Sequence, residues 1–393
     1  MSLSLPEFSQ NPLDAGFVQD PYPAYDRIRA LGSLVYWQDY NMPCAVSYAA
    51  ANAILRDRRF GRMPPDPPPV PAHLAPFYAV EVHSMLELEP PRHTRLRSLV
   101  LRAFTSRRIV ALAPEISALS HQLIDQFPDG PFDLLTQFAQ PLPVTIIARL
   151  LGVPENLAPD LLRWSNAMVG MYQAGRTRAD EDRAITATTE FVDFMLSYIA
   201  ARRQTPRDDL ITHLIAAEEE GQRLSTDAMI STCILLLNAG HEATVHSIGN
   251  ATKTLLQTGH YGQTPITEAL IEETLRYDPP LHLFTRWAYE DIDVVGHVIP
   301  KGTQIACLLG AANRCPKHWD VPDQFDPLRS AKANLAFGAG LHFCLGAPLA
   351  RLELHHALDA LVTRLPGLRL AQTPLYADIY HFHGLKSLMV AVN

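Results

Sequence analysis

The chain has 393 residues, of which 47% are hydrophobic and 19% are charged, and its formal net charge is −8. This composition predicts a globular protein with a large core and excludes a disordered chain, while the net charge disfavours nucleic acid as a general partner. The five cysteines are scattered, without a Cys-x-x-Cys pair, which is typical of a reducing compartment and disfavours a disulfide framework or a zinc cluster.

The first 20 residues show neither the basic start nor the apolar run of a signal peptide. No segment approaches the roughly 18 consecutive apolar residues that a membrane helix needs. We therefore expect a cytoplasmic protein without a membrane anchor.

Apolar residues recur mainly at the three- and four-residue spacing of helices. Helices are predicted at 92–111, 134–151, 157–174 and 178–203, from about Ser225 to Gly259, and at 347–364. Strands are predicted within 32–37, 42–47, 285–309 and 387–393, and the proline-rich stretch 63–76 is predicted to be an irregular loop. Nothing alternates as βαβ, which excludes a dinucleotide-binding fold. The pattern predicts one mainly α domain over 1–393, with a small β portion at about 33–48, 283–309 and 367–393.

Cys344 lies in the segment "FGAGLHFCLG", residues 337–346, directly before a predicted helix. A buried free cysteine is usually inert, but glycines let the backbone approach this sulfur, and the helix N-terminus would stabilise a thiolate. A thiolate is either a nucleophile or a metal ligand. His342 is a poor base for it, since residues two apart in an extended loop point to opposite faces. A thiolate on one side and a histidine on the other suit a flat anionic cofactor.

The pattern Phe337-x-x-Gly340-x-His342-x-Cys344-x-Gly346, continued by Leu349-Ala350-Arg351, resembles the haem-binding loop of the cytochrome P450 family. The resemblance implies the P450 fold, with haem b between the long central helix and the cysteine-loop helix, and with Cys344 as the axial ligand of the iron. It also implies that the following residues contact the cofactor: Ala239, Gly240, Phe337, Gly338, His342 and Gly346.

The segment 92–109 has six arginines and no acid, and its simplest interpretation is a solvated basic helix face. His93 and Arg97, however, match the H-x-x-x-R pattern whose members pair with haem propionates in the family. Arg286 and His342 match two further propionate contacts of the family. Such contacts are expected because buried carboxylates need cations. The remaining arginines are predicted to form a docking patch for an acidic electron donor: Arg95, Arg102, Arg107 and Arg108.

The long predicted helix carries "LLLNAGHEATVHS" at 235–247. The resemblance implies that Glu242 helps to deliver protons during oxygen activation, and the alternative is an ordinary solvated helix residue. The family pattern continues with a threonine, whereas this chain has Ala243 and then Thr244. Either Thr244 takes part of that role through a local helix distortion, or ordered water or a substrate hydroxyl carries the proton.

A second motif, Glu273-x-x-Arg276, precedes Pro279 and Pro280. Alone it would be a surface ion pair of a few tenths of a kcal/mol. The resemblance instead implies a buried structural network with Arg329.

The resemblance also places an apolar substrate pocket. Its predicted wall residues are Met85, Leu86, Met168, Leu236, Ala243, Leu283, Phe284 and Phe382. Tyr172, His282 and His381 are candidate polar anchors, although each is more commonly a structural residue.

The sequence thus predicts a monomeric monooxygenase that inserts one oxygen atom of O₂ into a small or medium apolar organic substrate. Its electrons would come from a separate ferredoxin and reductase, because the chain has no flavin or iron–sulfur motif. Within the same fold, the alternative is a peroxide-driven or oxidative-coupling enzyme. Outside it, a non-catalytic haem sensor and a cysteine hydrolase using Cys344 and His342 remain open.

Overall fold

A computed structural model describes residues 4–173, 175–217, 224–330, 332–379 and 382–392. Helices dominate these residues, as the sequence predicts. They are α1 (Ala15–Gln19), α2 (Tyr22–Leu31), α3 (Tyr48–Arg56), α4 (Ala75–Glu81), α5 (Arg92–Ala103), α6 (Ser106–Ala111), α7 (Ala113–Ile124), α8 (Pro141–Leu151), α9 (Ala158–Val169), α10 (Arg178–Gln204), α11 (Leu210–Ala217), α12 (Thr226–Thr258), α13 (Glu268–Tyr277), α14 (Leu309–Asn313) and α15 (Ala347–Arg364).

The strands form small sheets at the periphery of the helical body. They are β1 (Glu7–Phe8), β2 (Leu34–Trp37), β3 (Met42–Ala45), β4 (Phe60–Gly61), β5 (Phe132–Asp133), β6 (Leu283–Ala288), β7 (Ile292–Val294), β8 (His297–Ile299), β9 (Gln304–Leu308), β10 (Leu368–Leu370), β11 (Leu375–Tyr376), β12 (Leu385–Ser387) and β13 (Met389–Val392). The largest sheet has the order β1-β2-β3-β9-β6-β4. Its strand β6 pairs with β9 in antiparallel register, with Arg286 opposite Ile305.

Helix α12 runs through the centre of the fold. The hydroxyl of its N-cap, Ser225, accepts a hydrogen bond from the amide of Ala228, and Gly259 ends the helix in the left-handed conformation at φ 74°. By length and composition α12 could cross a membrane, but 61% of its most apolar window is buried. It packs against α8, α9 and α15, which is typical of a core helix.

The main helices and strands lie where the sequence predicts them, with local differences. The predicted helix 92–111 is broken between α5 and α6, because the hydroxyl of Thr105 caps a new helix by accepting from the amide of Arg108. The predicted helix 134–151 begins as a π-helical turn at 135–139 before α8. The sequence analysis did not place α1 to α4, α7, α11 or α14.

Candidate functional site

The cysteine loop, residues 337–346, lies directly before α15. Gly338 and Gly340 have φ values of +69° and +71°, a conformation that favours glycine. A side chain on Gly340 would also overlap the carbonyl oxygen of Leu55. The amide of Cys344 donates to the carbonyl of Phe337 at 3.1 Å. These constraints place Cys344 immediately before α15, which starts with Pro348 in its first turn.

The surroundings of Cys344 contain both apolar groups and positive charge. Burial raises the pKa of its thiol, whereas the amides of Gly346 and Ala347 and the guanidinium of Arg97 oppose that rise. Two backbone donors at a helix N-terminus are the arrangement that stabilises a thiolate. The side chain therefore has the chemistry of an axial metal ligand.

His342 does not act as a base toward Cys344. Its Nε2 lies 3.1 Å from Oε1 of Glu89, and its ring centroid is 4.4 Å from that of His93. Among the described residues, its hydrogen-bonding partner is thus a carboxylate on a different segment. This geometry removes support for the cysteine hydrolase interpretation, because such a nucleophile needs its base within hydrogen-bond reach.

Positively charged and basic side chains from three separate segments meet beside the loop. His93 is 1% exposed and Arg286 is 2% exposed. Arg97, one turn beyond His93 on α5, donates to the carbonyl of Phe343 at 2.6 Å. Both ring nitrogens of His93 are buried without a hydrogen-bond partner among the described residues. Buried nitrogens of this kind call for a further polar partner.

Electrostatics indicate the sign of that partner. Burial, followed by His342 and Arg97, lowers the pKa of His93 to about 4. Burial, followed by Arg62, lowers the pKa of Arg286 to about 10. Basic groups that depress one another's pKa would be stabilised by an anion. The cluster therefore fits the two carboxylates of haem.

Two members of this region were missed by the sequence reading. Glu89 contacts His342, and its Oε1 also accepts from the backbone amide of Arg62 at 2.6 Å. The Nε of Arg62 is buried without a partner among the described residues. Glu89 lies four residues before His93, and that spacing in an acidic-then-basic segment was the available signal. Arg62 carries no such signal, since it comes from a distant loop.

One face of α12 is partly open in the middle of the helix. Leu236 and Ala243 are half-buried and Ala239 is exposed, at the three- and four-residue spacing that defines one helix face. Gly240 also serves helix packing, because a side chain there would meet Ile147 of α8 at 3.0 Å. Its predicted contact with the cofactor stays a prediction.

The two predicted proton-delivery residues differ in their placement. Glu242 is 22% exposed, and its Oε1 lies 3.2 Å from Nε2 of His246. The hydroxyl of Thr244, which is 4% exposed, donates to the carbonyl of Gly240 at 3.0 Å. Since α12 is an uninterrupted helix here, the local distortion proposed for Thr244 is absent.

The predicted pocket residues come from separated segments. Phe284 lies against the cysteine loop, where a side chain on Gly338 would meet its ring at 3.3 Å. Phe382 pairs with Leu281 in an isolated β-bridge, and its ring centroid is 5.6 Å from that of His246. The loop after α13, the C-terminal loop and α12 therefore meet. Of the other wall residues, Leu86 and Leu283 are half-buried, and Met85 and Met168 are core members.

The predicted polar anchors have structural partners. The hydroxyl of Tyr172 donates to Oε2 of Glu81 at 2.8 Å. Nδ1 of His282 lies 2.8 Å from the hydroxyl of Tyr25, and His282 is fully buried. His381 lies outside the described residues.

The Glu273-x-x-Arg276 pair on α13 is buried. Arg276 donates to both carboxylate oxygens of Glu273, at 2.6 and 2.7 Å. Nε of Arg329 lies 3.2 Å from each of the same oxygens. Arg276 also donates to the carbonyls of Asn313 and Pro322, which ties α13 to the segment leading to the cysteine loop.

The docking-patch arginines are not equivalent. Arg95, Arg102 and Arg107 are exposed. Arg108 instead forms an ion pair with Asp208 at 2.6 Å, and it also lies within hydrogen-bond distance of His213. Its charge is thus partly neutralised by Asp208, and its part in the predicted docking patch stays a prediction.

Known proteins share this architecture and this sequence. A family model described as "Cytochrome P450" matches residues 253–366. The cytochrome P450 monooxygenase PikC of Streptomyces venezuelae is 36% identical over 384 residues, covering 94% of this chain and 90% of PikC. The chain belongs to the cytochrome P450 family. It is therefore a haem-thiolate oxidoreductase of the monooxygenase type, and haem b is its cofactor.

Two further relatives extend the P450 comparison. The 6-deoxyerythronolide B hydroxylase of Saccharopolyspora erythraea is 39% identical over 294 residues, covering 72% of this chain and 70% of that enzyme. The crystal structure of P450BioI in complex with an acyl carrier protein ligated to hexadec-9Z-enoic acid superposes with a TM-score of 0.90 at 34% identity, covering 96% of this chain and 99% of that one. The predicted P450 fold is thereby confirmed.

Proposed function

We propose that this P450 inserts one oxygen atom of O₂ into an apolar organic substrate of small to medium size, in a single domain working as a monomer in the cytoplasm. The observation that carries the proposal is the loop that presents Cys344 beside the buried His93 and Arg286 and the half-buried Arg97. When bound, haem supplies the oxidative chemistry. The balanced reaction consumes the substrate, O₂, two electrons and two protons, and releases the hydroxylated product and water.

Within this proposal, the chain's own residues have distinct tasks. Cys344 ligates the iron as a thiolate. His93, Arg97 and Arg286, together with His342, neutralise the propionates and orient the cofactor. Glu242 lies on the open face of α12 and holds and passes a proton. We assign no step to Thr244, because its hydroxyl is engaged within its own helix.

The substrate is proposed to be an acyl or polyketide-type molecule. Support comes from relatives whose names point to such molecules, including 6-deoxyerythronolide B hydroxylase and the polyketide biosynthesis P450 PksS of Bacillus subtilis. The apolar side chains of Leu236, Leu283, Phe284 and Phe382 suit it. Titration with saturated fatty acids, a macrolactone and a small monoterpene, followed by the spin-state shift of the ferric Soret band, tests this class. Binding of the monoterpene alone would contradict it.

The electron donor is proposed to be an acidic ferredoxin that docks at the exposed face of α5. Arg97, on the other side of α5, donates to the carbonyl of Phe343, so α5 itself packs beside the cysteine loop. Arg95 and Arg102 of α5, together with Arg107 at the start of α6, would provide the attraction. Changing these three residues to glutamine should slow reduction by a ferredoxin and flatten its salt dependence. The matched control is Arg178→Gln on α10, which should leave both unchanged.

A peroxide-driven reaction is the second candidate, favoured by one observation. The position that follows Glu242 carries the methyl group of Ala243, and the hydroxyl of Thr244 is bonded to the backbone. An enzyme that receives oxygen already reduced depends less on delivered protons. Turnover with hydrogen peroxide and no donor, at a rate matching the ferredoxin-supported rate, would favour this candidate over the O₂ route.

A further inference from the structure

His246 lies one helical turn beyond Glu242 and contacts it directly. Its Nε2 is 3.2 Å from Oε1 of the acid, and the residue is 7% exposed. Residues four apart share a helix face. The sequence motif indicates Glu242 and the missing threonine. The involvement of His246 is seen only in the structure, where it contacts Glu242 from four residues further along α12.

The ring of His246 is held in place from the other side. A side chain on Gly384 would overlap the Nδ1 edge of the ring, and the ring of Phe382 lies 5.6 Å away, centroid to centroid. Nδ1 is buried and has no hydrogen-bond partner among the described residues. Nε2 is therefore the nitrogen positioned to donate, and the neutral Nε2–H tautomer satisfies the contact with the carboxylate.

The family pattern has a threonine at the position that Ala243 occupies in this chain. Ala243 offers no polar atom, and Thr244 donates to Gly240. Histidine is the side chain whose ordinary pKa lies within the working range of most enzymes. A hydrogen bond donated to a carboxylate favours its charged form and lowers its pKa.

We propose that His246 is a positioning residue for Glu242, which holds the carboxylate through Nε2–H and sets the pH at which this acid takes up a proton. The inference rests on the proposed proton-delivery role of Glu242. It adds a residue whose imidazole ring packs against Gly384 and Phe382 of the C-terminal loop.

Two other histidines, His241 and His383, lie near the pair formed by His246 and Glu242. Nδ1 of His241 lies 3.7 Å from Oε2 of Glu242. His383, in the C-terminal loop, is buried, and its interactions include a repulsion from His246. A shift in the pH profile of a His246 variant is informative only if His241 and His383 are left unchanged in that variant.

The first test compares His246→Leu with His246→Gln in the haem-loaded enzyme. Leucine removes the donor, whereas the glutamine amide can still donate to the acid. We expect the leucine variant to lose about tenfold in product formed per electron consumed. The inflection of the pH profile that depends on Glu242 should rise by about one pH unit. The glutamine variant should restore both, and His355→Gln on α15 controls for the loss of a histidine elsewhere.

A second test observes the contact without turnover. The Cε1–H resonance of His246 can be followed by NMR in the diamagnetic ferrous–carbon monoxide form, and its assignment follows from its absence in His246→Gln. Because Nε2–H donates to the carboxylate, Glu242→Gln, which replaces a charged acceptor by a neutral one, should shift this resonance at a fixed pH.

The outcomes separate the inference from the proposed function. A His246 resonance that does not move in Glu242→Gln, or an unmoved inflection in His246→Leu, would overturn the role of His246 and leave the haem-thiolate function intact. Full coupling in Glu242→Gln would overturn the proton-delivery role of the acid itself. A purely structural role of His246 predicts lowered thermal stability in both His246 variants with no movement of the inflection, and that result would also overturn the inference.

Discussion

At the scale of single residues, the surroundings of Arg286 support the proposed contact with a haem propionate. It is buried on β6, and its NH1 donates to the neighbouring backbone carbonyl of Thr285 at 2.8 Å. A buried guanidinium with so little compensation is costly, and a propionate would offset that cost. The same reasoning applies to His93, whose nitrogens lack partners among the described residues.

Replacing Arg286 by methionine should therefore weaken haem binding while preserving the shape of the site. Hydrogen bonds to charged groups contribute about 1.5–3 kcal/mol, so the rate of haem loss should rise on the order of tenfold to hundredfold. Transfer of haem to apomyoglobin measures this rate. Arg178→Met, an exposed substitution on α10, is the control, and equal rates in both variants would contradict the propionate assignment.

The buried network around Glu273 makes a different prediction, because it supports the fold rather than the cofactor. Changing Glu273 to glutamine leaves Arg276, 1% exposed, without its ionic partner. Loss of one member of a buried pair costs about 3–5 kcal/mol. Urea denaturation should show a decrease of that order, whereas Glu290→Gln, at an exposed pair with Arg59, should change stability by less than about 1 kcal/mol.

At the scale of elements, the cysteine loop depends on close backbone approach. Gly340 combines a positive φ with a predicted overlap between any added side chain and the carbonyl oxygen of Leu55. Gly296 has a φ of +87° with open space around it. A comparison of substitutions at Gly340 and Gly296 therefore distinguishes the effect of backbone strain from the effect of steric overlap.

Gly340→Ala should accordingly be more damaging than Gly296→Ala. Strain at a positive φ costs about 1–3 kcal/mol, and it affects both variants. The overlap with Leu55 adds a displacement of the loop, so we expect Gly340→Ala to lower haem content as well as thermal stability. Equal haem content in the two variants, measured as the ratio of Soret to protein absorbance, would contradict this view of the loop.

The sequence predicts the elements that follow simple periodicity and the residues that belong to a motif. Helices α10, α12 and α15 and the cysteine loop are examples. It does not predict the break at Thr105, because a capping hydroxyl competes there with a continuous apolar pattern. Nor does it predict that Glu89 pairs with His342 or that His246 contacts Glu242. The first contact depends on how distant segments pack, and the second on which face of α12 the C-terminal loop covers.

At the scale of the whole molecule, a buried carboxyl group couples stability to pH. Glu353 on α15 is 1% exposed, and its Oε1 has no partner among the described residues. Burial raises its pKa from 4.5 to about 8. Between these values the folded protein keeps a proton that the unfolded chain has lost, so this group's contribution to stability falls as pH rises from about 4.5 to about 8.

Glu353→Gln should remove this dependence, since the amide does not ionise. The variant should gain stability relative to the original protein as pH rises toward 9, and the two should converge near pH 4. Melting temperatures across this range measure the difference. Parallel curves for the two proteins would show that Glu353 is ionised in the folded state.

The central claim is that Cys344 ligates haem iron as a thiolate. The absorbance spectrum of the dithionite-reduced protein, recorded before and after addition of carbon monoxide, tests it most directly. We expect the long-wavelength Soret band that is typical of thiolate-ligated ferrous–carbon monoxide haem, and we expect Cys344→His to lose that band even where it retains haem. A colourless protein, or a Soret band that is the same in Cys344→His, would contradict the claim.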